Sequence, residues 1–138
     1  MRVLALIALL AAVGCGTGAG APAASSGATE LKIAYWSQGR GAGPAKTWTL
    51  RCGPAAAGTL PRAASACRKL AAMRNPFAPI PQDTLCTEQY GGPQVAVITG
   101  TFRGHALWTQ LASRDGCEIA RSKRLSFLVP GYGAGAEA

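Results

Sequence analysis

The sequence predicts a small α+β domain, a five-stranded antiparallel sheet with one or two short helices on one face and two disulfides. Three observations lead there. Five segments are apolar or alternate at strand length, one segment between them changes to helical spacing, and Cys52, Cys67, Cys86 and Cys117 are spread across these elements. A chain of 138 residues has room for one such domain.

The chain opens with Met1-Arg2 and an unbroken apolar run of eleven residues, Val3 to Val13. As a helix this run measures roughly 16 Å against a hydrocarbon core of about 30 Å, too short to span a membrane and the right size for a signal peptide. Residues 1–14 are read as that signal, and the mature protein as extracellular. Ala12-Val13-Gly14-Cys15 resembles a lipoprotein signal, in which Cys15 becomes a lipid anchor on the outer face of the cell membrane. Ala12 stands where that motif has Leu, and secretory cleavage near Ala21 or Ala24 is the other reading. Gly16 to Thr29 contains only Gly, Ala, Ser, Thr and one Pro, so residues 15–29 read as a flexible linker. Residues 30–130 are the expected domain and 131–138 a disordered tail.

Within the domain, Leu31, Ile33 and Tyr35 alternate as a first strand, and Gly39 to Pro44 turns the chain. Thr47 to Cys52 alternates again, with Trp48, Leu50 and Cys52 on one face, and Gly53 to Thr59 is a loop. From Pro61 the period changes: Ala63, Ala66, Cys67 and Leu70 fall at i, i+3, i+4 and i+7, a short helix ending before Asn75-Pro76. Pro76, Pro79 and Pro81 keep the following segment extended. Val95 to Phe102 and His105 to Leu111 form a hairpin turning at Arg103-Gly104, and Leu125 to Val129 is the expected fifth strand.

Cys52 on the apolar face of a strand and Cys67 on the apolar face of the helix point into the same layer and should pair. That leaves Cys86 with Cys117, one of three connectivities open to four cysteines. The fifth cysteine, Cys15, is accounted for by lipid attachment.

Tyr35-Trp36, Trp48-Thr49-Leu50-Arg51-Cys52, Gly58-Thr59-Leu60-Pro61, Cys86-Thr87-Glu88-Gln89-Tyr90, Gly100-Thr101-Phe102-Arg103-Gly104 and Gly116-Cys117-Glu118, in this order and cysteine spacing, resemble the Streptomyces subtilisin inhibitor family. The resemblance implies a five-stranded sheet, the same two disulfides, a homodimer formed through the sheets, and inhibition of a secreted serine endopeptidase of the subtilisin type. It implies a reactive loop of Leu85, Cys86, Thr87, Glu88, Gln89, Tyr90 and Gly91, with the reactive bond between Glu88 and Gln89. Asp115 occupies the position of an Asn that supports the loop in the family. Gly91-Gly92-Pro93 replaces an Asp-Pro pair, and Glu88 replaces the family's Met or Lys. The acid at Glu88 points to a Glu-selective or broad-specificity target. A tethered extracellular binding module with the inhibitor fold and an altered loop is the alternative.

Other classes find little support. The net charge is +8, from 14 Lys and Arg against six Asp and Glu, but only Arg121, Lys123 and Arg124 cluster, and no nucleic-acid recognition motif is present. His105, the single histidine, sits beside a turn, and there is no GxSxG or HExxH. No enzyme activity, cofactor or metal is expected, and a membrane is met only through the lipid on Cys15. Trp36, Trp48 and Trp108 are assigned to the core or a dimer interface.

Overall fold

The computed structural model describes residues 27–133. The expected signal peptide, Cys15, most of the linker and residues 134–138 lie outside the described residues. Four strands, β1 (Thr29–Trp36), β2 (Lys46–Cys52), β3 (Val95–Phe102) and β4 (His105–Leu111), form one antiparallel sheet in the order β2-β1-β3-β4. Alternation in β1 buries Thr29, Leu31, Ile33 and Tyr35. The register sets Leu31 opposite Leu50, and Ile33 between Trp48 and Ile98, so one face of the sheet is a continuous apolar layer.

Helix α1 (Ala63–Ala72) lays Ala66 and Leu70 on that layer, and Cys67 bridges to Cys52 at the end of β2 with Cα atoms 5.5 Å apart. The Arg103 side chain, from the β3–β4 turn, closes the far end of α1. Its guanidinium donates to the carbonyl oxygens of Met73 and Arg74, both at 2.8 Å, and of Leu70 at 3.1 Å. Leu70 O also accepts from the C-cap Met73 N–H at 3.3 Å, Met73 and Arg74 lie just past the helix, and a cation complements the helix C-terminus.

The expected fifth strand is absent: Leu125–Val129 is not extended. A second helix, α2 (Gly116–Arg124), fills the preceding segment, and a 3-10 turn at Ser126–Leu128 follows. The buried residues Leu125, Leu128 and Val129 fall at i, i+3 and i+4, which is helical rather than strand spacing, and they cover the same face of the sheet as α1. The sheet therefore has four strands. The segment expected as a plain loop, Gly53 to Thr59, folds back on β2 through a single bridge between Arg51 and Ala57.

The ordered structure also reaches past the expected limits. Thr29, assigned to the linker, begins β1, and Tyr132, assigned to the tail, packs with its ring centroid 5.8 Å from that of Tyr35. Among the described residues no helix is long and apolar enough to cross a membrane.

Candidate functional site

Between α1 and β3 the chain runs from Asn75 to Gln94 without joining the sheet. Its start is anchored. Pro76 and Phe77 are buried, with the Phe77 ring edge-on to Phe102 at 5.0 Å. From α2, the Arg121 guanidinium donates to Ala78 O at 3.1 Å and Phe77 O at 3.3 Å, and to Gln110 O at 2.8 Å and Thr109 Oγ1 at 2.6 Å in β4. Burial, with Arg124 nearby, lowers the Arg121 pKa, while Glu118 opposes the shift. The side chain that sequence grouped into a basic cluster is thus turned inward and ties the segment to the sheet.

Beyond Pro81 the segment leaves the body of the protein. Leu85 is 99% exposed and Tyr90 65%, extreme values for large apolar side chains, and Thr87, Glu88 and Gln89 between them are exposed too. Of the seven residues expected in the reactive loop, five are exposed, and Cys86 and Gly91 are half-buried. The chain returns at Gly91, whose N–H donates to Ser113 O at 2.7 Å.

The exposed stretch is fastened on each side of the Glu88–Gln89 bond. On the N-terminal side, Cys86 is bridged to Cys117 with Cα atoms 5.4 Å apart, and Thr87 O accepts from Gly116 N at 3.0 Å. A Cβ on Gly116 would meet Thr87 Oγ1, so a larger residue there would require the Thr87 side chain to turn away. On the C-terminal side stand the Gly91–Ser113 bond and a bond from Gln94 Nε2 to Gly91 O at 2.9 Å.

Helix α2 makes the N-terminal fastening. Asp115 is its N-cap, with Oδ1 accepting from Glu118 N at 2.9 Å, so the carboxylate acts on the helix and the helix presents Gly116 N–H and Cys117 to the loop. Asp115 supports the loop at one remove rather than by its own hydrogen bond to it. Glu118 returns toward the residue before the cap. It accepts from Arg114 N at 3.0 Å and pairs with the guanidinium at 2.5 Å and 3.1 Å, a variant of the capping box. The hydrogen bond from the Arg114 side chain, opposed by burial, holds the Glu118 pKa below its ordinary value. Cys86, Asp115 and Cys117 also lie within ligand distance of one another, but both sulfurs are in the disulfide, which leaves one carboxylate and no metal-ligand set.

The comparisons agree with this architecture. Residues 25–112 match the family model described as subtilisin inhibitor-like. The chain belongs to the subtilisin inhibitor-like family. It is 35% identical over 118 residues to a subtilase-type protease inhibitor of Streptomyces coelicolor, covering 77% of this chain and 81% of that protein. It is 36% identical over 110 residues to a probable subtilase-type protease inhibitor of Streptomyces avermitilis, covering 71% and 76%. Among solved structures it shares its fold with Streptomyces caespitosus sermetstatin, crystallised in complex with Bacillus licheniformis subtilisin. That match has a TM-score of 0.50 and 16% identity, over 75% of this chain and 99% of that one. This is a family of protease inhibitors and not of enzymes.

In this subtilisin inhibitor-like chain both disulfides pair as the sequence led one to expect, whereas α2, Ser113, Gln94 and Tyr132, which support the exposed stretch, were not foreseen. The signal for α2 was present as Asp115-Gly116-Cys117-Glu118, an N-cap followed three residues later by an acid, with Arg121, Lys123 and Arg124 in the last turn. Ser113 carried no readable signal, because it meets Gly91 and Gln94 across a gap in sequence that only the folded sheet closes, and nothing in the sequence marked Gln94 as folding back on Gly91 three residues away.

Proposed function

We propose that the protein inhibits a subtilisin-like serine protease by presenting residues 85–91 as a rigid, substrate-like loop with Glu88–Gln89 at the enzyme's active site. The observation that carries this reading is that Glu88–Gln89 lies in an exposed stretch fastened immediately before it, at Cys86 and Thr87, and after it, at Gly91. A segment already extended and fixed loses little conformational entropy on entering a cleft, the main way such loops gain affinity. Its free backbone pairs with the enzyme as an added strand, and exposed Leu85 and Tyr90 offer apolar anchors on the two sides of the bond. After cleavage the two fastenings keep both new ends in place, which favours religation over release.

Glu88 sets the finer specificity. An ionised carboxylate is costly in an apolar pocket unless paired, so the target's main pocket carries a cation or tolerates many side chains. Two disulfides persist in an oxidising compartment, consistent with action outside the cell, and Cys15 is the proposed lipid attachment point. The homodimer forms through the sheet face opposite the helices, which Trp36, Val97 and Trp108 share and on which Trp108 is 65% exposed.

Replacing Glu88 with Met or Lys tests the assignment against a panel of subtilisin-, trypsin- and Glu-selective proteases. The inhibited enzyme should change with the side chain. An unaltered profile places the reactive bond elsewhere, and digestion of the parent at many sites with no stoichiometric inhibition favours a binding module.

A further inference from the structure

Gly91-Gly92-Pro93 reads in sequence as slack, one residue longer than the family's pattern and built of the least constrained residue type. In the fold this stretch lies beneath a side chain. Gln94 is only 9% exposed and its carboxamide folds back over the two glycines, with Nε2 2.9 Å from Gly91 O and 3.3 Å from Ser113 Oγ. Gly92 has φ +115°, and a Cβ there would collide with Gln94 Oε1; a Cβ on Gly91 would crowd Ile119 and Ser113. The glycines supply the space that the carboxamide occupies.

The chain of contacts continues inward. Ser113 is 3% exposed, its carbonyl accepts from Gly91 N at 2.7 Å, and its Oγ lies 3.2 Å from Tyr132 OH. Tyr132 is in turn seated on Tyr35 of β1, whose hydroxyl donates to Gly131 O at 3.2 Å. Both polar groups of Gly91, three residues after Glu88, are thus bound to side chains or backbone that are themselves tied to the sheet.

We infer that Gln94, Ser113 and Tyr132 form a clamp on Gly91 that positions the segment following the Glu88–Gln89 bond and replaces rigidity that the paired glycines would otherwise remove. Gln94 is the positioning residue with the largest share, since its amide is the donor to both Gly91 O and Ser113 Oγ. The function of the clamp rests on the reading of residues 85–91 as an inhibitory loop; its existence does not.

The test uses the intact domain and two variants, Gln94→Ala and Tyr132→Phe, with two readouts. One is amide hydrogen exchange at Gly91 compared with the amides of β1 and β3. The other is the rate of cleavage after Glu88 by a Glu-selective endoprotease added in excess. Loss of the two bonds made by Gln94 should raise both Gly91 exchange and cleavage roughly 30-fold in Gln94→Ala, with strand protection unchanged. Tyr132→Phe, which removes one hydroxyl, should give a smaller increase in the same direction. Exchange and cleavage equal to the parent's in both variants would overturn the clamp. Exchange raised equally throughout the strands would show Gln94 to be a general structural residue and would overturn it as well. If the parent inhibits no protease, the inhibitory reading fails, while the ratio of variant to parent still decides the clamp.

Discussion

Removing each disulfide in turn separates stability from function in this fold. The Cys52–Cys67 bridge closes a loop of 15 residues and the Cys86–Cys117 bridge one of 31. In the chain-entropy account they contribute about 3 and about 3.7 kcal/mol. At roughly 4–8 °C per kcal/mol for a domain of this size, Cys52→Ser/Cys67→Ser should lower Tm by about 12–24 °C and Cys86→Ser/Cys117→Ser by about 15–30 °C, similar losses. The effects on inhibition should differ sharply. Cys86 lies two residues before the Glu88–Gln89 bond, whereas Cys52 and Cys67 join β2 to α1 away from the loop. Reordering even two freed loop residues costs about 2–4 kcal/mol, a weakening of roughly 30- to 1,000-fold in Kd. Titration of subtilisin at a temperature where both variants remain folded measures this directly, with circular dichroism confirming the folded state. Equal loss of inhibition in the two variants, or parent-like inhibition without the Cys86–Cys117 bridge, would refute the argument that rigidity at Cys86 makes the loop an inhibitor.

Other parts of the structure give further expectations. Arg103→Ala removes the donor that closes the C-terminus of α1 and should cost about 1.5–3 kcal/mol in urea unfolding, with inhibition unchanged once the domain is folded. Because the Glu118 pKa is lowered in the fold, Arg114 and Glu118 contribute stability that is present above the ordinary carboxylate value of 4.5 and is lost as pH falls below it through the folded value. Glu118→Gln should flatten that part of the pH–stability curve, and an unchanged curve would remove the pair from the account. Trp108→Glu places a charge on the open sheet face and tests the proposed homodimer: the parent should sediment as a dimer and the variant as a monomer with parent-like circular dichroism, and a monomeric parent would remove the dimer from the account.

What could be read from sequence followed the range of the interactions involved. Alternation in β1 to β4 and the spacing Ala63, Ala66, Cys67 and Leu70 are local, and each element was found where expected. Leu125–Val129 misled because a short apolar run fits either period. Its Leu125, Leu128 and Val129 obey the helical one, and the capping signal at Asp115 and Glu118 lay ten residues upstream, attached to a nine-residue helix that begins with glycine. That the segment after Asn75 stays out of the sheet was visible through Pro76, Pro79 and Pro81. Its supports were not: Gly116 reaches Thr87 across the Cys86–Cys117 bridge, and Gln94 reaches Ser113 only because β3 and β4 pair. Arg121 shows the same limit, since a basic residue in a basic run gives no indication that its guanidinium is spent on four internal oxygens.

The central claim is that Glu88–Gln89 is the bond offered to the protease. Prolonged incubation of the protein with a catalytic amount of the protease it inhibits, followed by intact-mass analysis, tests it most directly. The account predicts slow appearance of one modified form, heavier by a single water, whose two fragments separate between Glu88 and Gln89 on reduction of the disulfides. A first cut at any other bond, or rapid cleavage at many, would contradict it.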